Sequence, residues 1–238
     1  MHILIAGDSW SQGEWDVADG SYRVVHQGLI YFLQRLNYNI VNVGYGGSTN
    51  TTQVERIQDN IDSADIIIWF QTDPLRERWS NHSGTFWDPI HTIDDLFMLE
   101  KQSLDRVYKS LNKLNRRIYC IGGVFALDLK LIKKYENLVP LIPFIPTFLL
   151  PEYEFPRCIN QIYKTSGVNS KNIQLLDFLV EDKNKHFRFI SGANPRGPRE
   201  FRDSNLVKYF WPDGTHLNRY AYKKLYHYLK KQEIIKEN

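Results

Sequence analysis

The sequence is poor in cysteine and has no long apolar run, and both shortages narrow the class of protein. Only Cys120 and Cys158 are present, far apart in a chain of 238 residues. A chain of that length in which 42% of residues are hydrophobic can bury a sizeable core without a disulfide, so we expect two reduced thiols. No run of about 18 apolar residues occurs, and the amino terminus lacks the charged leader of a secretory signal. We therefore expect no membrane span and a soluble protein of the cytoplasm.

The chain also lacks a strong charge excess and any metal-binding spacing. Its 30 Lys and Arg residues against 27 Asp and Glu residues leave a formal net charge of +3, spread over the chain rather than gathered in a tail. This balance does not indicate a nucleic-acid partner. The histidines show neither an H-E-x-x-H motif nor paired Cys/His spacing, so the sequence predicts neither a metal ion nor another cofactor.

Short apolar runs alternate with segments of helical periodicity along most of the chain. Residues 64–70 are almost all apolar, which is typical of a parallel strand covered on both faces. We expect strands at 2–6, 38–43, 64–70, 117–121 and 173–176, and helices at 24–36, 51–61, 94–114 and 217–229. The alternation predicts one α/β domain over residues 1–238, a three-layer sandwich with a mostly parallel sheet of about five strands.

Three segments do not fit this alternation: residues 74–89, 138–156 and 183–212. Long connections of this kind are functional or mobile. Residues 138–156 contain too many prolines for a helix and too many apolar residues for a free loop. The interpretations left open for residues 138–156 are a substrate lid, an acyl-binding wall, an oligomer contact and a buried irregular connection.

A serine stands directly after the first predicted strand, in Gly7-Asp8-Ser9-Trp10. Ligands bind an open parallel sheet beyond the carboxyl ends of its strands, so this turn lies where a site is expected. A serine on a sharp turn from strand to helix is held exposed, as a nucleophile needs. The alternative is that Asp8 or Ser9 only caps the helix that follows.

Near the carboxyl terminus, Asp213 precedes His216 by three residues at the entry to the last predicted helix. This spacing lets the carboxylate reach the imidazole Nδ1–H while Nε2 stays free to accept a proton from a serine hydroxyl. The alternative is a helix cap at Asp213 and an ordinary surface or core histidine. Ser9 at the other end of the chain favours the catalytic interpretation.

Gly7-Asp8-Ser9 and Asp213-x-x-His216 resemble the first and last sequence blocks of the SGNH, or GDSL, hydrolases. The resemblance spans nearly the whole chain. It implies a flavodoxin-like three-layer sandwich and hydrolysis of an ester-type bond, because the family includes esterases, lipases, thioesterases and carbohydrate deacetylases. It also implies that Ser9 is the nucleophile, that His216 is the base and that Asp213 orients the imidazole.

The same resemblance implies an oxyanion hole. Gly47 matches the glycine of the second block, and its backbone N–H would act with that of Ser9. The third block departs from the family pattern, since Phe70-Gln71-Thr72-Asp73 has Thr72 where Gly-x-Asn-Asp has asparagine. The Thr72 hydroxyl and the Gln71 amide are the candidates to replace that asparagine. Loss of such a donor costs about 2.7–4 kcal/mol of transition-state stabilisation, so an unreplaced asparagine predicts a slow enzyme.

The extended opening G-D-S-W-x-x-G-E-W is similar to that of family members in bacteriophage genomes. This similarity implies a virion-associated or host-directed esterase, or a deacetylase of surface glycans. The leading hypothesis is an active esterase on a small ester or an acetylated carbohydrate. The alternative is a catalytically weak or inactive module that keeps the fold for binding. A nucleotide binder built on residues 44–47 is disfavoured, because neither G-x-G-x-x-G nor a P-loop lysine is present.

Overall fold

A computed structural model describes residues 1–18, 21–74, 76, 93–123, 125–149, 209 and 216–236. Several of the sequence predictions lie outside these residues: Cys158, Asp213, the strand at 173–176, the segment 183–212 except residue 209, and the segment 74–89 except residues 74 and 76. The strands are β1 (His2–Ala6), β2 (Glu14–Ala18), β3 (Ser21–His26), β4 (Asn39–Asn42), β5 (Ile66–Gln71), β6 (Ile118–Gly122) and β7 (Leu138–Ile142).

Five of these strands form one sheet in the order β4-β1-β5-β6-β7, and every neighbouring pair is parallel. Counted within this sheet the order is 2-1-3-4-5, which is the doubly wound order of flavodoxin-like proteins. The remaining strands, β2 and β3, pair antiparallel as a separate hairpin. The predicted fold class, a flavodoxin-like sandwich with about five mostly parallel strands, is confirmed.

The helices are α1 (Ser9–Gln12), α2 (Leu29–Gln34), α3 (Asn50–Asn60), α4 (Ile93–Lys113), α5 (Leu129–Ile132), α6 (Ile145–Leu149) and α7 (Arg219–Lys231). The predicted helices at 51–61, 94–114 and 217–229 are therefore confirmed to within two residues. None of the described helices combines the length and the apolarity that crossing a membrane requires.

The alternation of side chains along β1 explains why its sequence is continuously apolar. Ile3 and Ile5 pack in the cluster that includes α2 and α7, whereas Leu4 and Ala6 pack in the cluster that includes α3 and α4. Successive side chains of a strand point to opposite faces, so a strand between two helical layers needs apolar residues at every position. The sheet is thus covered on both faces, as the run at 64–70 predicted.

The helix predicted at residues 24–36 is wrong in its first part. Residues 21–26 form strand β3, and the helix begins only at Leu29. Gly28 separates the two with φ of +55°, outside the helical region. Val25, in this strand, is 40% exposed. The apolar spacing across residues 24–36 came from a β-branched strand followed by a short helix, which periodicity alone does not separate.

The expectation that residues 138–156 contain too many prolines for a helix is also wrong, since the described part of this segment holds a strand and a short helix. Residues 138–142 form β7, which pairs with β6 at the edge of the sheet, and α6 follows it. Pro140 is exposed in this strand. An edge strand accepts proline because one side of its backbone has no ladder partner to lose. Ile142, Ile145 and Leu149 are buried in the core, which accounts for the apolar composition.

Candidate active site

Three turns follow β1, β4 and β5 and meet at the carboxyl edge of the sheet. The Tyr45 N–H donates to the Gly7 carbonyl at 3.1 Å, and the Ser48 hydroxyl donates to the same oxygen at 2.9 Å. The Asn50 amide exchanges two hydrogen bonds with the Thr72 backbone, at 2.9 and 3.1 Å. These contacts join the turn after β4 to the turns that follow β1 and β5.

Ser9 is the first residue of α1, and Asp8 caps that helix. The Asp8 Oδ1 accepts a hydrogen bond from the Trp10 N–H at 3.0 Å. The cap expected as the alternative role for Asp8 or Ser9 is therefore supplied by Asp8. Ser9 is partly exposed, and within the described parts of the chain its hydroxyl has no hydrogen-bond partner. Its side chain is available for a partner outside the helix.

The second oxygen of Asp8 connects the Ser9 turn to the end of β5. Oδ2 accepts the Thr72 hydroxyl at 2.6 Å and the Arg76 guanidinium at 3.0 Å. Asp8 is only 1% exposed, and a buried carboxylate needs this kind of charge and hydrogen-bond compensation. Arg76 also donates to the Ser48 carbonyl at 3.2 Å, which adds the third turn to the same cluster.

The two side chains predicted as substitute oxyanion donors have internal partners. Thr72 is fully buried, and its single hydroxyl proton is donated to Asp8. The Gln71 amide is also fully buried: Nε2 donates to the Ala126 carbonyl at 2.8 Å, and Oε1 accepts the Tyr108 hydroxyl at 2.6 Å. Burial raises the pKa of Tyr108, so its hydroxyl stays protonated as the donor.

Gly47 lies at the exposed tip of the turn after β4. Its φ is +78°, a left-handed conformation that favours glycine, and a Cβ there would meet no atom within 4 Å. Among the described residues, none accepts a hydrogen bond from its N–H. The Gly47 N–H is therefore a backbone donor on an exposed turn at the carboxyl edge of the sheet, and an oxyanion hole requires donors that are free to bind substrate.

His216 lies three residues before α7 and contacts the Ser9 region through Trp15. The centroids of the Trp15 and His216 rings are 5.8 Å apart, with an interplanar angle of 37°. The Trp15 Nε1–H donates to the Ser9 carbonyl at 3.2 Å. The structure thus brings His216 and Ser9, from opposite ends of the chain, against one indole. Asp213 lies outside the described residues.

Two further contacts hold the start of α7 against the segment that follows Ser9. The carboxylate of Glu14, 3% exposed, accepts the Arg219 N–H at 2.7 Å and the Arg219 guanidinium at 3.1 Å. The Tyr222 hydroxyl donates towards the carbonyls of Trp10 and Gly13, at 2.9 and 2.8 Å. Burial raises the pKa of Tyr222, and the charges of Asp8 and Glu14 raise it further, so the hydroxyl remains a donor.

Sequence reasoning did not identify the roles of Glu14, Trp15 and Tyr222 in this arrangement, nor the contacts of Asp8 with Thr72 and Arg76. Glu14 and Trp15 were noticed only as part of the extended opening motif. The available signal was the acidic residue beside an aromatic one directly after Gly13. Within the described residues, no group of three or more His, Cys, Asp or Glu side chains is placed to hold a metal ion.

Solved structures with low sequence identity resemble this chain over almost its full length. One is a lipase/acylhydrolase from Enterococcus faecalis, with 13% identity and a TM-score of 0.48 over 100% of this chain and 98% of that one. Another is LAE5, an α/β hydrolase from the metagenome of Lake Arreo, Spain, with 12% identity and a TM-score of 0.45 over 99% and 96%. A third is a variant of Axe2, an acetylxylan esterase from Geobacillus stearothermophilus, with 11% identity and a TM-score of 0.45 over 99% and 94%.

No family profile matches the chain, and no curated protein matches it. Structural similarity at this level says nothing about substrate, because one fold carries many activities. The function is therefore argued from the site.

Proposed function

We propose that this protein is a serine hydrolase that cleaves a small ester or an acetylated carbohydrate through an acyl-enzyme intermediate. The observation that carries the proposal is the placement of Ser9. Ser9 is a partly exposed residue on a strand-to-helix turn, the capping role is supplied by Asp8, and His216 packs on Trp15, which also binds the Ser9 carbonyl. A nucleophilic serine needs this exposure and a base within reach.

In the proposed reaction His216 removes the Ser9 proton as Oγ attacks the carbonyl carbon of the ester. The backbone N–H groups of Ser9 and Gly47 bind the oxyanion, because both are donors on turns at the carboxyl edge of the sheet. The alkoxide leaving group takes this proton from His216 and departs as the alcohol, and the acyl group stays on Ser9. His216 then deprotonates a water molecule, whose oxygen attacks the acyl carbonyl carbon. The bond from that carbon to Ser9 Oγ breaks, Oγ recovers the proton from His216, and the acid is released. Asp213 orients the imidazole and stabilises its charged form.

Turnover in this mechanism is modest. Both side-chain candidates for the third oxyanion donor, Thr72 and Gln71, already donate to internal acceptors. Without a substitute for the asparagine, the transition state loses about 2.7–4 kcal/mol of stabilisation, or roughly 10²- to 10³-fold in kcat. The same contacts favour a second candidate, the fold retained as a weakly active or inactive binding module. The proposal of a virion setting for either candidate is supported only by the similarity of the opening motif G-D-S-W-x-x-G-E-W to that of family members in bacteriophage genomes.

The test is labelling with a fluorophosphonate probe together with hydrolysis of p-nitrophenyl acetate. Ser9→Ala should abolish both, because the probe and the ester require the same nucleophile. Asp213→Asn should lower kcat by about 10⁴-fold if the carboxylate sets the histidine tautomer.

Ser63→Ala is the matched control. Ser63 is an exposed serine on the turn that precedes β5, at the amino edge of the sheet, and should label and turn over as the wild type does. If the folded wild-type protein shows no Ser9-dependent labelling, the hydrolase proposal is overturned and the binding module remains as the candidate function. Labelling without turnover would indicate that the nucleophile is intact and that the oxyanion hole is deficient.

A further inference from the structure

One indole, that of Trp15, lies against three segments that the proposed reaction uses. Its Nε1–H donates to the Ser9 carbonyl at 3.2 Å, and its ring packs on the His216 imidazole at 5.8 Å. A Cβ placed on Gly46 would lie 3.4 and 3.5 Å from two carbons of the same ring. Trp15 therefore adjoins the nucleophile turn, the glycine-rich turn and the histidine together.

The hydrogen bond to Ser9 fixes the indole to the short helix that carries the candidate nucleophile. Helix α1 has only four residues, and the chain leaves it at Gly13, whose φ is +137°. The indole N–H donates to the carbonyl of the first residue of this helix at 3.2 Å and so connects the Ser9 peptide to the segment after Gly13.

The ring contact acts on the other reacting group. A histidine base works only when its ring is turned so that one nitrogen meets the nucleophile and the other meets the orienting carboxylate. Aromatic packing against the imidazole restricts rotation about its side-chain bonds. His216 also makes at least one interaction besides this ring contact.

The position of Trp15 is itself fixed relative to α7. Its neighbour Glu14 binds both the backbone N–H and the guanidinium of Arg219, at 2.7 and 3.1 Å. Arg219 lies three residues after His216, so the ion pair and the ring contact connect the same two segments. A shift of Trp15 along the start of α7 would break the buried Glu14 contacts.

We infer that Trp15 is a positioning residue, which sets the orientation of the His216 imidazole relative to the Ser9 hydroxyl. This inference rests on the proposed serine hydrolase. It goes beyond the triad, because it gives a role to a residue outside it. Trp15 acts through its contacts with the Ser9 carbonyl and with the His216 ring.

Trp15→Ala and Trp15→Phe separate the two contacts. Phenylalanine keeps an aromatic face for His216 and loses the N–H, whereas alanine loses both. We expect kcat for p-nitrophenyl acetate to fall about 2- to 10-fold in Trp15→Phe and about 10- to 100-fold in Trp15→Ala. KM should change less than twofold or so, because positioning acts on the transition state rather than on substrate binding. The rate of fluorophosphonate labelling should fall in the same order.

Tyr228→Ala is the matched control for loss of a ring. Tyr228 is a half-buried aromatic residue near the far end of α7, and its hydroxyl also donates to a backbone carbonyl, that of Leu141, at 2.8 Å. Its removal should lower the urea midpoint and leave kcat per folded molecule unchanged. Trp15→Phe keeps the test valid if Trp15→Ala does not fold.

The outcomes distinguish this inference from the function on which it rests. Wild-type protein that shows no Ser9-dependent labelling overturns both. Wild-type protein that is labelled, with Trp15→Ala labelled at the same rate and with the same kcat, overturns the positioning role alone. A rise in KM at constant kcat would also overturn it, because the indole would then bind substrate.

Discussion

At the end of β5, the hydrogen bond of a single threonine decides whether its hydroxyl can serve as a donor in the proposed oxyanion hole. Thr72 stands where the resembled family has asparagine, and its hydroxyl is donated to Asp8 at 2.6 Å. A hydroxyl carries one proton, so this donor does not serve a substrate at the same time. Thr72 instead helps to neutralise the buried Asp8 carboxylate beside Arg76.

Replacing Thr72 with valine tests which of these roles is the real one. Valine keeps the branched shape and removes the hydroxyl, which leaves Asp8 with one donor fewer. We expect the free energy of unfolding to fall by about 1–3 kcal/mol, measured by urea titration, and kcat to fall less than about tenfold. A loss of 10²- to 10³-fold in kcat with unchanged stability would contradict this and would identify Thr72 as an oxyanion donor.

At the scale of an element, the turn after β4 requires glycine at two positions for different physical reasons. Gly44 packs against α1: a Cβ there would lie 1.9 Å from the Ser11 Oγ and 2.9 Å from the Asn42 Oδ1. Gly47 has open space around its Cα but a φ of +78°. The first glycine is required by close approach and the second by backbone conformation.

A double-mutant cycle distinguishes these causes. Gly44→Ala should destabilise the protein by about 1–3 kcal/mol because the buried Ser11 hydroxyl must move and lose its bond to the Asp8 carbonyl. In a Ser11→Ala background the clash with Oγ is absent, so part of that cost should disappear. Gly47→Ala should cost about 1–2 kcal/mol in either background, since its strain is local. Equal costs for Gly44→Ala in both backgrounds would contradict the packing argument.

Helix α7 has an extended set of contacts with the amino-terminal segment. His216 meets Trp15, Arg219 binds Glu14, and Tyr222 binds the backbone at the end of α1. These contacts follow each other at intervals of three residues, so they lie on one side of the chain as it enters and continues the helix. The spacing explains how the last helix and the residues before it contact the segment that carries the proposed nucleophile.

At the scale of the whole molecule, Cys120 reports on the stability of the sheet. It is fully buried in β6, with β5 on one side and β7 on the other. Burial raises the pKa of the thiol, so both exposure and the thiolate form depend on unfolding.

In a Cys158→Ser variant we therefore expect Cys120 to react with a disulfide reagent at least about 1000-fold more slowly in buffer than in urea above the midpoint. The rate should rise with the same urea dependence as global unfolding. The double variant Cys120→Ser with Cys158→Ser, which has no cysteine, corrects for background reaction. Fast labelling of Cys120 in buffer would show that β6 opens locally, against the buried three-layer packing.

The sequence by itself determined the elements whose local pattern is compatible with only one kind of secondary structure. The apolar run of β5, the periodicity of α4 and the position of Ser9 after β1 all agree with the structure, because strand and helix periods and the turn between them are properties of neighbouring residues. Two segments misled the same reasoning. Residues 24–36 combine strand and helix within one apolar spacing, and β7 contains a proline that only an edge position tolerates.

Only the tertiary structure decided which side chains meet. The Glu14 to Arg219 contact spans 205 residues of sequence, and the Asp8 to Thr72 contact spans 64. No local period encodes such pairs, since they depend on the order of strands in the sheet and on the face against which α7 packs. The sequence therefore placed the candidate nucleophile and base on their elements, and the packing of the two chain ends brought both against Trp15.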